Sequence, residues 1–223
     1  MNTPNPPFTP EAIPGSAANA SFGLALLAEA PLATRHGVFH SQVFRLDGDP
    51  NEHMVLIAGD PAQLGGDEPL LCRIHSECLT GDVLGSVQCD CGAQLDAALR
   101  RIAHAGRGML IYLRGQEGRG IGLSAKIRAY ALQHEGMDTL DANLALGLPA
   151  EARSYAAASA ILAFHGVRTV RLLTNNPEKI AALEAAGIAV QREASQVGLG
   201  ERNRRYLLTK QQRMGHLLDL GQG

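Results

Sequence analysis

The stretch LLCRIHSECLTGDVLGSVQCDCGAQLDAALRRIAHAGRGMLIYL, residues 70–113, decides the fold. At its start Leu70, Cys72 and Ile74 fall on one face of a strand, and Leu71, Arg73 and His75 fall on the other. Cys72 therefore points into a core, while Arg73, His75 and Glu77 share the face that runs into a cysteine-bearing loop. Ala93 to Ala105 has helical periodicity and stops at Gly106, a residue suited to a left-handed helix cap. Gly108 to Leu113 is a second apolar run of strand length.

The same alternation continues downstream. A glycine-rich loop from Gly115 to Gly122 feeds a helix from Leu123 to about His134, and helical stretches follow near Leu140–Leu146 and Pro149–Phe164. Thr169 to Thr174 reads as a strand, Asn176 to Ala186 as a helix, Ile188 to Gln191 as a strand and Asn203 to Leu218 as a helix. Upstream, His36 to Gly59 alternates loosely, as one or two strands with a turn at Asp47-Gly48-Asp49-Pro50; a second turn falls at Gly65-Gly66-Asp67. The expected fold is α/β, a three-layer α/β/α sandwich on a mixed sheet with a β-rich N-terminal part. Residues 1–25 hold five prolines and read as a disordered arm, 26–218 as one domain and 219–223 as a tail.

Composition removes several classes of function. The 223 residues carry a net charge of -2, so no global field favours nucleic acid or an anionic membrane. No apolar run reaches the roughly 20 residues of a membrane helix, and the N-terminus lacks a signal-peptide pattern. Three of the four cysteines cluster. In a chain that is not secreted such clusters read as metal ligands, which implies a reduced, cytoplasmic setting.

The cluster is Cys78, Cys89 and Cys91, spaced Cys-x10-Cys-x-Cys. Three thiolates are one short of a closed structural zinc site, and an open fourth position is what catalytic zinc keeps for water. The plainer readings are a structural zinc completed by Cys72, or three unrelated core cysteines. Thiolates donate charge strongly, so water on such an ion calls for an assisting base; His75, Glu77 and Tyr130 are the candidates. The 115–122 loop is either a tight turn or a ligand loop. After it, Asn176 caps a helix with Pro177 at its first position, which puts Lys179 in the first turn, where the helix dipole disfavours a cation. Pro149 likewise marks a helix start with Arg153 in its first turn. Two such cations fit a bound polyphosphate; the plainer readings are a solvated lysine, a favourable N-terminal charge at Glu151 and a core aromatic at Tyr130.

Together these segments resemble GTP cyclohydrolase II. The matching pieces are Arg73 to Asp82, Cys89 to Gln94, Tyr112 to Leu123, Lys126 to Gln133, Leu172 to Pro177, and Met214 to Leu218. The resemblance implies that Cys78, Cys89 and Cys91 hold Zn²⁺, and that Arg73, Ile74, His75, Ser76 and Glu77 line the nucleotide site with Gln94 on the guanine. It implies further GTP contacts from Glu117, Gly118, Arg119, Thr139, Thr174 and Lys179, and Tyr130 near the reacting ring. Arg153 matches an arginine that attacks the α-phosphate. The family pattern has an aspartate two residues before it as proton acceptor, where this chain has Glu151, one methylene longer. The implied activity is zinc-dependent opening of the GTP imidazole ring, with release of formate and, with Mg²⁺ on the triphosphate, pyrophosphate. The implied product is 2,5-diamino-6-(5-phospho-ribosylamino)pyrimidin-4(3H)-one, the first step of riboflavin synthesis. A homodimer and a stand-alone enzyme are implied as well. The alternatives are a non-catalytic or partly active GTP-binding paralogue, motivated by Glu151, and a zinc nucleoside deaminase, motivated by His75-Ser76-Glu77 but lacking the Pro-Cys-x-x-Cys half of that signature.

Overall fold

The alternating run at 70–76 becomes an inner strand of a seven-stranded sheet, buried on both faces. The computed structural model describes residues 23–66, 68–149 and 151–220. Its strands are β1 (Leu24–Thr34), β2 (Gly37–Leu46), β3 (His53–Ala58), β4 (Leu70–Ser76), β5 (Gly108–Leu113), β6 (Thr169–Leu173) and β7 (Ala189–Glu193), in the spatial order β1-β2-β3-β5-β4-β6-β7. β1, β2, β3 and β5 pair antiparallel, whereas β5, β4, β6 and β7 run parallel. The helices are α1 (Leu79–Asp82), α2 (Cys91–Ala105), α3 (Glu117–Gly120), α4 (Leu123–His134), α5 (Thr139–Ala145), α6 (Ala156–Phe164), α7 (Pro177–Ala185) and α8 (Glu201–Met214).

The two faces of β4 feed two cores. Leu70, Cys72 and Ile74 pack with Ala158, Ile161 and Leu162 of α6 and Leu183 of α7. Leu71 packs on the opposite face with Ala98 and Ile102 of α2. The sheet is therefore mixed and covered by helices on both sides, and strands dominate its N-terminal part, as expected. From β4 the chain crosses to β5 on one side and later returns as β6 on the other. The carboxyl end of β4 is thus a topological switch point, the place where open α/β sheets leave a crevice for ligands.

Three boundaries differ from expectation. β1 begins at Leu24, inside the segment expected to be a disordered arm; residues 1–22 of that arm and 221–223 of the tail lie outside the described residues, as does Asp67 of the expected turn. An edge strand with one neighbour buries little, so β1 shows almost no alternation, and Pro31 is tolerated there because an edge residue can do without a ladder donor. α6 starts at Ala156, seven residues after Pro149, so neither Glu151 nor Arg153 is helical. α8 stops at Met214 because Gly215 turns left-handed, with φ 64°. Short helical turns at α1 and α3 occupy the loops after β4 and β5. Among the described residues no helix is long and apolar enough to cross a membrane.

Ile102 is fully buried, and its Cγ2 lies 3.1 Å from where a Cβ on Gly108 would sit, which fixes how closely α2 approaches β5. Ile102→Ala should cost about 2–5 kcal/mol, read from the urea unfolding midpoint.

Candidate active site

β4 delivers Cys78 just beyond its end, and the start of α2 delivers Cys89 and Cys91. The three sulfurs lie within 4.8 Å of one another, and the Cys78 and Cys89 Sγ atoms are 3.7 Å apart. Two thiolates on one tetrahedral zinc, at a Zn–S distance of about 2.3 Å, would be roughly 3.8 Å apart. The cradle depends on Gly81: a Cβ there would lie 2.8 Å from Cys89 Sγ and 3.2 Å from Cys78 Sγ. A Cβ on Gly92 would lie 2.3 Å from the Gly81 carbonyl oxygen. The donor set and its spacing fit Zn²⁺. Cys72 is on the far face of the sheet in the core, so it completes no four-sulfur site. The reading of three unrelated cysteines fails as well, because the fold brings them together.

Charge around the sulfurs is uneven. Hydrogen bonds from Cys89 and Cys91, with Lys126 beyond them, hold Cys78 far below the ordinary thiol range. The hydrogen bond to Cys78 pushes Cys89 up to about 11 and raises Cys91 too. Cys78 is thus the sulfur that gives up its proton most readily, and a bound dication would favour the thiolate at all three. Lys126 of α4 donates to Cys78 Sγ at 3.0 Å, Thr80 Oγ1 at 2.7 Å and Glu117 Oε1 at 2.6 Å. Glu117 Oε2 accepts from the Leu79 N–H at 2.7 Å. Gly118 and Arg119 then turn left-handed, with φ 61° and 68°, and Arg119 is the only non-glycine with positive φ among the described residues. That conformation costs about 1 kcal/mol, and it aims the Arg119 guanidinium at Thr139 Oγ1, 3.1 Å away. Tyr130 lies against Lys126, whose Nζ is 5.6 Å from the ring centre, and lines the cleft, so it is not a core aromatic.

Elsewhere in the same cleft, cations gather. Arg73 is buried and donates to the Leu173 carbonyl at 2.7 Å and Gln94 Oε1 at 2.5 Å. Gln94 donates to Asp90, and Asp90 accepts from Lys210 of α8 at 3.1 Å. Lys179 is 5% exposed and its Nζ donates to the Ile74 carbonyl at 2.8 Å. Burial first, then Arg73 and Arg153, pull its pKa well below the ordinary lysine value. This excludes a solvated lysine. Arg153 lies in the irregular segment before α6, where Glu151 holds it through two side-chain hydrogen bonds, one of 2.7 Å, and also accepts its backbone N–H at 2.9 Å. The expectation of a first-turn cation is corrected here. An i,i+2 pair cannot meet on a helix, and it meets because the helix has not begun. Burial works against the Arg153 charge, but the Glu151 bond prevails and raises its pKa. Glu151 is lowered, the Arg153 bond outweighing the burial that works the other way.

Every substrate-contact candidate except Ile74 lines this one cleft, as do Tyr130, Arg153 and the three cysteines; Glu151 stands behind Arg153. The Ile74 side chain is in the core, and only its carbonyl reaches the site side, through Lys179. The sequence reading missed Asp82, Asp90, Lys126, Tyr206, Lys210 and His216. Asp82 accepts from His75 Nε2 and from the Cys78 N–H, each at 3.0 Å. Tyr206, Lys210 and His216 form a wall from α8 and its following turn. Only the Met214–Leu218 resemblance pointed there, without assigning roles. His216 is pushed down to about 3, by burial first and then by Lys210, Arg153 and Lys179.

The sequence profile of the GTP cyclohydrolase II family matches residues 26–195. The riboflavin biosynthesis protein RibBA of Salinispora arenicola is 56% identical over 198 residues, 87% of this chain and 46% of that protein. RibBA of Salinispora tropica is 55% identical over 194 residues, 86% of this chain and 48% of that protein. The chain thus spans about half the length of these relatives. GTP cyclohydrolase-2 of Histophilus somni is 52% identical over 194 residues, covering 86% of this chain and 88% of that protein.

Gly81→Ala should lower bound zinc from about one ion per chain to well under half, by atomic emission, with the fold retained by circular dichroism. Lys179→Met should raise the melting temperature of the ligand-free protein at pH 7, because an uncompensated buried cation is removed. The unfolded lysine holds its proton more tightly than the folded one, so the wild type gains stability as pH rises. The gap between wild type and variant should therefore close toward pH ~10.4, measured by thermal melts across pH.

Proposed function

The chain belongs to the GTP cyclohydrolase II family, and on that premise we propose that it hydrolyses GTP, opening the imidazole ring and releasing formate and pyrophosphate. One observation carries the reading: a single cleft is lined by a three-thiol cradle, a buried lysine, and an arginine held by an acidic partner. A purine nucleotide has groups to match, its ring toward the sulfurs and its phosphates toward Lys179 and Arg153.

Cys78, Cys89 and Cys91 would hold Zn²⁺, which when bound supplies Lewis-acid activation of water for addition to C8 of the purine. Lys126 and Thr80 brace Cys78 through contacts to its sulfur. Arg73 and Gln94 are held by each other, so the ring meets a rigid wall rather than mobile side chains. Lys179 and Arg153 receive the phosphates, and the anion supplies the charge that Lys179 lacks. Arg153 then attacks the α-phosphorus through a guanidinium nitrogen, Glu151 takes the displaced proton and pyrophosphate leaves, its charge to be neutralised by Mg²⁺ where that ion is bound. Water cleaves the phosphorus–nitrogen bond and frees Arg153, and a second water releases formate from the opened ring. Arginine is a poor nucleophile with its proton on, and Glu151, already hydrogen-bonded to it, is the acceptor within reach once the phosphates disturb the pair. The product is the diaminopyrimidine nucleotide named above. The reading includes a homodimer in the cytoplasm, as the resemblance implies.

Incubation with GTP, Zn²⁺ and Mg²⁺, followed by NMR, should show formate and pyrophosphate together. Cys89→Ser should abolish formate. Glu151→Gln should lower turnover about 100-fold. GTP binding by calorimetry with neither product would instead mark a non-catalytic paralogue, and ammonia without formate a deaminase.

A further inference from the structure

His75 and Tyr112 are register partners on the parallel strands β4 and β5, and their rings stack with centroids 5.4 Å apart. Both reach the same carboxylate. His75 Nε2 is 3.0 Å from each oxygen of Asp82, and the Tyr112 hydroxyl donates to Asp82 Oδ2 at 2.8 Å. The Cys78 backbone N–H donates to the same oxygen at 3.0 Å. Asp82 thus accepts three donors and is buried, with its side chain 2% exposed. An acceptor-only carboxylate requires a proton on the imidazole nitrogen that faces it, which is Nε2. The other nitrogen, Nδ1, is buried without a partner, on a residue 2% exposed that lines the cleft beside the cysteines. Burial keeps the imidazole neutral, and Tyr112 keeps its proton because burial and Asp82 both raise it. A bare Nδ1 is an acceptor that the protein leaves for a ligand.

The three candidate bases now separate. Glu77 accepts the Gly115 N–H at 2.6 Å and so braces the glycine loop. The Tyr130 hydroxyl is engaged with Thr80. His75 alone combines an orienting carboxylate with an unshared lone pair, on a residue that lines the cleft.

We propose that Asp82 is a positioning residue that locks His75 in the Nε2–H tautomer, so that Nδ1 accepts the hydrogen bond of the water that adds to the purine. The same carboxylate grips the Cys78 amide, so the acceptor and the sulfur cradle are fixed to one group and move together. The role deepens the proposed function and rests on it, but the tautomer is measurable without turnover. Orientation of the water should appear in kcat rather than in GTP binding.

The test uses the full-length zinc-loaded protein with ¹⁵N-labelled histidine. Two-dimensional NMR should show the His75 signal, assigned by its loss in His75→Gln, as neutral with a proton on Nε2 and none on Nδ1. A proton on Nδ1 in the wild type overturns the proposal, whatever the enzyme does with GTP. Asp82→Asn presents an amide that can donate to Nε2, so the tautomer should invert and kcat for formate release should fall at least ~10-fold with KM within ~3-fold. Tyr112→Phe leaves the Asp82–His75 bond in place and should keep the wild-type tautomer. Zinc content is measured on each variant. If Asp82→Asn loses zinc, Asp82→Glu is the deciding variant: it should retain zinc, the Nε2–H tautomer and more turnover than Asp82→Asn. Unchanged kcat in Asp82→Asn, or a rise in KM at constant kcat, contradicts the role. Absence of formate from the wild type with the expected tautomer would count against the proposed reaction rather than the tautomer lock.

Discussion

The ammonium of Lys126 ties the site together. It donates to a cysteine sulfur, to Thr80 and to Glu117, which in turn accepts from the Leu79 amide. In this way the loop after β4, the loop after β5 and helix α4 meet at one cation. Each of these groups is buried or nearly so, and a buried charge persists only with partners that satisfy it. Remove the ammonium and a carboxylate and a thiolate are left facing each other. The sulfur cradle therefore depends on a side chain that is not one of its own ligands.

The rest of the cleft follows from strand order. β4 sits between β5 and β6, and the segments after all three end at the same crevice. The β4 end supplies histidine and the first cysteine, the β5 end the glycine loop, and the β6 end Thr174 and the start of α7 with Lys179. Polar side chains that would be costly in a core are gathered at the carboxyl ends of these strands and in the loops that follow them. Two groups of them are crowded, the three thiols and the cations Arg73, Lys179 and Arg153. A dication bound by the sulfurs would relieve the first and a polyanion bound by the cations the second.

Much of this was legible in residues 70–113. A strand buried on both faces shows its alternation, so the two cores and the exclusion of Cys72 from the metal followed from sequence. Lys179 was legible too, since a cation in the first turn of a capped helix conflicts with the dipole. Other parts could not be read. β1 has one neighbour and little burial, so it carries no period. Arg153 was placed in a helix because Pro149 looked like a start signal, while the actual helix waits until the glutamate and arginine have paired. Lys126 on α4 resembles any solvated lysine until the fold buries it. Lys210 meets Asp90 across 120 positions, a contact no local pattern encodes.

The central claim is a metal held by three sulfurs with its fourth position turned to the nucleotide cleft. X-ray absorption at the zinc edge of the metal-loaded protein tests it most directly. The account predicts three sulfur scatterers at about 2.3 Å and one oxygen or nitrogen at about 2.0 Å, with that light scatterer changing when GTP is added. Four sulfurs, or a light-atom shell indifferent to the nucleotide, would contradict it.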